Sequence, residues 1–144
     1  MAKSYYSVVL DTTADSVWAS IRSFGDYAWS GVDAAVALES GAVGDQVGAV
    51  RHIQGGGRDM RQRLLALSDV ERCCTYEFVG PVPYPVRNYQ ATIRVAPVVE
   101  CDRAFVEWWA TFDCDAAEQE HWTEYFAKRG FAVWLASLRT VVAA

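Results

Sequence analysis

Apolar and polar residues change their spacing along the chain, and each change marks an element. Residues 4–10 and 34–39 carry a mixed apolar alternation and read as strands. Between them, Thr12-Thr13-Ala14-Asp15 predicts a helix start, with a hydroxyl at the cap and an acid three residues later. Val17, Trp18 and Ile21 then fall on one helical face. Phe24-Gly25-Asp26-Tyr27 reads as a break, followed by a short helix or turn ending at Trp29-Ser30-Gly31. From Gln46 the pattern is a meander. A strand over 47–54 meets Gly55-Gly56-Gly57, a turn in which glycine supplies positive φ at no steric cost. The chain returns over 59–67, turns at Ser68-Asp69-Val70-Glu71 and forms a third strand over 72–79. Gly80-Pro81-Val82-Pro83-Tyr84-Pro85 is a rigid connection, because closely spaced prolines are excluded from a central strand. Residues 86–97 and 103–113 make a further pair joined near Glu100-Cys101-Asp102. Consecutive strands with short turns indicate an antiparallel sheet.

A long helix is predicted over 116–142. Asp115 and Glu118 have the spacing of a capping pair. Acids crowd its start, and Lys128, Arg129 and Arg139 follow, an order that suits the helix dipole. Phe131, Trp134, Leu138 and Val141 form a stripe that Trp122, Tyr125 and Phe126 extend. A helix of about 26 residues is about 39 Å long and needs a large concave surface to bury such a stripe. Gly130 in its middle costs about 1 kcal/mol against Ala, which marks a close-packing or bend position. The element order predicts an α+β fold: a curved antiparallel sheet of about six or seven strands wrapped around the C-terminal helix, with space for a ligand between them. All 144 residues fit one domain, 1–144.

Composition narrows the function classes. Apolar types make up 52% and charged types 22%, which excludes a disordered or fibrous chain. The longest apolar run, 131–138, is interrupted by Ser137 and falls short of the ~20 residues of a membrane span. The N-terminus runs into a strand pattern without an apolar signal core, so the expected location is cytoplasmic, without stable membrane insertion. A net charge of -5 gives no footprint for nucleic acid. Arg58, Arg61 and Arg63, with Arg72 nearby, read as a solvated strand face, the alternative being an anion or nucleic-acid patch. Aromatic content is high at 13%, and such side chains fill cores or line pockets for apolar ligands. Cys73 and Cys74 point to opposite faces of a strand, and Cys101, Cys114, His52 and His121 lack ligand spacing. The expectation is free thiols, no metal and no cofactor. Phosphate-binding glycine loops and a nucleophile elbow are absent from the sequence, and neither histidine has an evident nucleophile partner.

The segment Gly44-Asp45-Gln46-Val47-Gly48-Ala49-Val50-Arg51 resembles a motif of the polyketide cyclase/dehydratase and lipid-transport family, within the START-like SRPBCC superfamily. Further matching segments are Val17-Trp18, Arg63-Leu64-Leu65-Ala66-Leu67, Thr75-Tyr76-Glu77, the stretch from Asn88 to Val95, and Phe105-Val106-Glu107-Trp108, in order along nearly the whole chain. The resemblance implies the helix-grip fold. Plant lachrymatory-factor synthases resemble the chain through the same segments. By that likeness Arg51 takes a catalytic arginine position, and Gln62 stands where an acidic partner is expected. Glutamine cannot exchange a proton near neutral pH, so acid–base work at that position is lost. Tyr76 and Tyr89 match the aromatic positions.

Strand alternation puts Ala49, Arg51 and Ile53 on one face and Val50 and His52 on the other, without deciding which is inside. The resemblance favours Arg51 inside, where a guanidinium must be paired or hydrated by Gln62, Tyr76, Tyr89 or a ligand anion; the alternative is an arginine satisfied by backbone or Glu77. Gln62 either faces the cavity or solvent, and Tyr76 and Tyr89 are either donors to a ligand or plain core residues. Leu64, Phe78, Trp108, Phe112, Phe126 and Trp134 are expected to line a ligand cavity, and Trp29 to lie over its mouth or anchor a loop. Trp109, Glu107 and Thr111 fall on the outer face. Three functions compete. The first is a cyclase/dehydratase-like enzyme acting on an apolar oxygenated small molecule without cofactor. In it Arg51 stabilises an enolate or oxyanion, and Tyr76 and Tyr89 donate. The second is a non-catalytic carrier or sensor of a hydrophobic small molecule or lipid, and the third a protein-interaction module using Trp109. The chain is expected to be a monomer or homodimer.

Overall fold

A computed structural model describes residues 1–143. Seven strands form one antiparallel sheet: β1 (Ala2–Leu10), β2 (Ala35–Leu38), β3 (Val50–Gly55), β4 (Arg58–Ser68), β5 (Cys73–Val79), β6 (Arg87–Val98) and β7 (Arg103–Asp113). Their spatial order is β1-β7-β6-β5-β4-β3-β2. The meander from β3 to β7 is thus sequential, and β1 adds beside β7 to put the two ends of the sheet at opposite edges. Helix α1 (Ala14–Ile21) and a turn of 3₁₀ helix at Ala28–Ser30 carry the chain from one edge to the other. Thr13 caps α1 by accepting from Ser16 N at 3.2 Å. The cap lies one residue later than the Thr12–Asp15 spacing predicts, which puts Asp15 out of capping position, and Asp15 binds Arg72 at 2.8 Å.

Two irregularities bend the sheet. The β4–β5 register slips between Leu64 and Ala66. The β6–β7 register slips between Arg87 and Gln90, where Asn88 has φ of 54°. Bulges of this kind increase local twist and curl a strand. The concave face then closes on the C-terminal helical arm, which comprises a 3₁₀ turn (Ala116–Glu118), α2 (Gln119–Tyr125), a π-helical segment (Phe126–Phe131) and α3 (Ala132–Ala143). Ser4 Oγ donates to the Thr123 carbonyl at 2.6 Å and ties β1 to α2. Trp108, Phe112, Phe131, Leu135 and Leu138 are fully buried between the layers. A completely buried side chain of this size contributes about 1.5–3 kcal/mol.

The details depart from the sequence expectations in four places. The strand expected over 47–54 begins only at Val50, because Gly48 has φ of 93°. The Asp115 side chain makes no capping hydrogen bond, and the arm starts as 3₁₀ helix. Val141 is 44% exposed, whereas Leu135 is buried. The π-helical segment puts Phe126 and Phe131, five residues apart, both inside, and α3 continues that face through Leu135 and Leu138, with Trp134 and Val142 half-buried. Finally, Arg58 does not join a solvated face. It shares the inward side of β4 with Met60, Gln62 and Leu64, while Arg61 and Arg63 turn outward to Glu39 (2.6 Å) and Glu77 (3.0 Å).

Candidate functional site

The β3–β4 hairpin sets the chemistry. Arg51 and Gln62 are paired residues in its register, and both side chains point into the concave face, 4% and 5% exposed. Directly opposed residues on one face of a sheet lie close enough to bond. Arg51 Nε and Nη2 both donate to Gln62 Oε1, at 2.8 and 2.6 Å. Nη1 donates to the Phe24 carbonyl at 3.4 Å. The guanidinium carbon lies 4.0 Å from the ring centre of Phe24, 4.3 Å from that of Tyr27 and 5.0 Å from that of Tyr76. Ring faces attract a cation, which offsets part of the cost of burying it. Among the described residues no carboxylate forms a salt bridge with Arg51. A full positive charge therefore sits in an aromatic wall with only neutral partners.

This arrangement orients Gln62. An arginine has donors only, so the Gln62 atom that meets it is the oxygen. The carboxamide nitrogen is left for something else, and no group among the described residues accepts from it. Polarised by the guanidinium behind it, that N–H₂ group is a stronger donor than a free amide.

Two voids adjoin these groups. An inner void of about 10 Å³ is lined by Arg51, Leu64, Trp29, Trp108 and neighbours. A larger cavity lies between β3–β6 and the helical arm, lined by Gln62, Tyr76, Phe78, Tyr89, Phe126 and Trp134, together with Tyr27, Val32, Ile53, Arg58, Met60 and Tyr84. Its closed volume is about 30 Å³, and the space between its lining atoms, open mouth included, about 430 Å³. The closed volume holds roughly two waters. A ligand of drug-like size therefore enters only as the mouth side chains move. A wider hollow of about 660 Å³ beside Tyr5 and α2 is open surface with Glu120 and Glu124 among its lining residues.

The predicted residues distribute over these features as follows. Gln62, Tyr76, Phe78, Tyr89, Phe126 and Trp134 reach the larger cavity. Arg51, Leu64, Trp108 and Trp29 reach only the inner void. Trp29 is no cover over the mouth. Its Nε1 donates to the Asp26 carbonyl at 3.0 Å and its ring packs on Trp108, so it anchors the loop. Phe112 lines neither void and instead supports Phe126 and Tyr89 from behind, at 5.2 and 6.5 Å. Tyr27, Tyr84 and Arg58 escaped the sequence reading. Alternation along β4 was a usable signal for Arg58, but nothing local marks the two tyrosines.

The tyrosines remain protonated. Burial pushes Tyr27 up to about 12 and drives Tyr76 and Tyr89 well above the ordinary phenol value. They are donors and not bases. Tyr76 Oη accepts from Trp108 Nε1 at 3.2 Å, which leaves its own hydrogen free to donate. Glu77 and Glu107 face outward to Arg63, and to Tyr5 and Arg94. His52 pairs with Asp59 on the outer side at 2.7 Å. All four cysteines are free thiols, with Cys74 buried and pushed up to about 11. On the outer face Trp109 stacks on Tyr5, and Lys3 lies over both rings. No helix among the described residues is long and apolar enough to cross a membrane.

Comparison with known proteins agrees with this architecture. A solution NMR structure of a Thermobifida fusca protein is similar over 99% of this chain and 94% of its own, at 29% identity and a TM-score of 0.86. The di-domain ARO/CYC BexL of the BE-7585A biosynthetic pathway is 17% identical with a TM-score of 0.79, over 99% of this chain and 47% of that one. Norcoclaurine synthase of Thalictrum flavum, in complex with dopamine and hydroxybenzaldehyde, is 12% identical with a TM-score of 0.75, over 98% of this chain and 86% of that one. These last two likenesses are of fold. No curated protein sequence matches the chain. The sequence profile for polyketide cyclase / dehydrase and lipid transport matches residues 1–143, and the chain belongs to that family.

Proposed function

We propose that the chain binds an apolar, oxygen-bearing small molecule between sheet and C-terminal arm and promotes a cyclase/dehydratase-type reaction on it. One observation carries the reading: the Arg51 charge is buried without a counter-anion among the described residues and is held by Gln62, which lines the cavity. Developing negative charge on a ligand carbonyl oxygen is the natural complement of such a donor. The Gln62 amide, together with the Tyr76 or Tyr89 hydroxyl, donates to that oxygen as enolate or alkoxide character grows. Aromatic walls hold the chain of the substrate folded so that its reacting carbons approach. Family membership and the cyclase-like fold of its neighbours support the same reading.

The alternative is a carrier. It is favoured by the chemistry of the lining, which offers donors and one cation, Arg58, but no carboxylate or histidine to take up a proton. In the enzymic reading, the proton lost from carbon passes to water in the cavity.

The two are separated by incubating the protein with a synthetic linear poly-β-ketone and following aromatic cyclised product by chromatography. The enzymic reading expects product above the uncatalysed background, and near-background rates for Arg51→Met. Binding of the ketone without conversion favours the carrier.

A further inference from the structure

Arg58 is the one cation of the β4 cluster that turns inward. It opens β4 immediately after the glycine turn, and strand alternation aligns it with Met60, Gln62 and Leu64 on the concave face. It is half-buried and lines the larger cavity beside Tyr27 and Tyr84. Its neighbours on the outer face each hold a carboxylate: Arg61 binds Glu39, Arg63 binds Glu77, and His52 takes Asp59, the acid adjacent to Arg58 itself. Among the described residues Arg58 forms no ion pair, and no acidic side chain lines the cavity. In a chain of net charge -5 this cavity is therefore a local positive well, with Arg58 at the mouth and Arg51 behind the inner wall.

The cavity lining combines apolar and charged groups. Phe78 and Phe126 carry no polar side-chain atom, and Trp134 is apolar apart from its indole N–H. Arg58 brings a planar guanidinium to the same cavity as the Tyr27 and Tyr84 phenols, and its charge opposes the rise that burial imposes on both. A guanidinium with flanking hydroxyl donors matches a carboxylate in shape and charge.

We infer that Arg58 is an anion-binding residue at the cavity mouth, and that the cavity takes an aromatic or alicyclic carboxylic acid with its carboxylate on Arg58 and its ring system inward. The inference rests on the proposed ligand-binding role of the cavity and adds to it the class of ligand and its orientation.

Calorimetric titration of the full chain with 2-naphthoate and with the isosteric neutral 2-naphthamide tests it. The acid is expected to bind at least tenfold tighter than the amide. Arg58→Gln reduces this ratio to within twofold by weakening the acid alone, and Arg58→Lys, which keeps the charge, retains part of it. Equal binding of the two probes to the unaltered protein overturns the inference while leaving the apolar cavity intact. A preference that survives Arg58→Gln also overturns it and assigns the anion to Arg51. If neither probe binds, the ligand-binding reading of the cavity falls, and the assignment of Arg58 falls with it.

Discussion

Arg51 and Gln62 form a unit in which neither residue is tolerable alone. The glutamine oxygen receives two guanidinium hydrogen bonds inside the sheet, and no other side chain among the described residues accepts from that cation. Gln62→Leu should therefore destabilise the fold by about 3 kcal/mol, the cost of an orphaned buried charged donor. Gln62→Glu, which restores an acceptor and adds a counter-charge, should keep cooperative folding. Urea unfolding of the two variants checks this, and an unchanged midpoint for Gln62→Leu would mean that water satisfies Arg51. The contact itself was half legible. Alternation aligned Arg51 with Ala49 and Ile53, and Gln62 with Met60 and Leu64. Which side faced inward needed the helical arm, because both sides of β3 mix apolar and polar residues.

At the scale of elements, the C-terminal arm decides the size of the cavity. Its π-helical segment presents Phe126 to the cavity, and Gly130 leaves room for the Trp134 indole. A Cβ on Gly130 would lie 3.2 Å from that ring. Trp134 in turn touches Tyr27, Trp108 and Phe131, with centroids 6.4, 5.2 and 6.0 Å away. Trp134→Ala should lose about 2–3 kcal/mol, below the range for a fully buried aromatic because Trp134 is only half-buried. It should also tighten binding of 2-naphthoate by opening the closed void. Weaker binding with unchanged stability would contradict the role of Trp134 as the side chain that fills the cavity. The long helix was legible from its stripe and its charge order. The π-helical segment was not, since it arises from packing against the sheet and leaves no local pattern. Gly130 alone marked the place.

For the whole molecule, buried phenols give a pH signature. Tyr27, Tyr76 and Tyr89 hold their protons in the fold above the pH at which an unfolded chain releases them, and the Cys74 thiol behaves likewise at about 11. The unfolded state then binds fewer protons than the native one, so stability falls as pH rises. The tyrosine contribution is intact below about pH 9, whereas that of Cys74 is lost progressively from its unfolded value of 9.0 up to about 11. Above pH 10 each tyrosine weakens the fold by up to about 1.4 kcal/mol per pH unit. Chemical denaturation between pH 8 and 11 should show a flat region followed by a steep loss. A profile flat to pH 11 would mean that these hydroxyls reach solvent.

Alternation, glycine turns and one amphipathic stripe are local properties, and they suffice for the order of strands and helices. The order suffices for a sheet closed by its final helix, because consecutive antiparallel strands and one long apolar stripe have few ways to bury each other. That Gln62 shares a face with Met60 and Leu64 likewise follows from a period of two. Tertiary structure alone decided that Arg51 lies behind Tyr27 and Tyr76 and not in the open cavity. It alone decided that the face Arg58 shares with Gln62 is the inner one, and it alone left the cavity at about 30 Å³. Those outcomes depend on sheet curvature, helix rotation and side chains from Phe24 to Trp134 meeting at one point, and no local spacing encodes such a meeting.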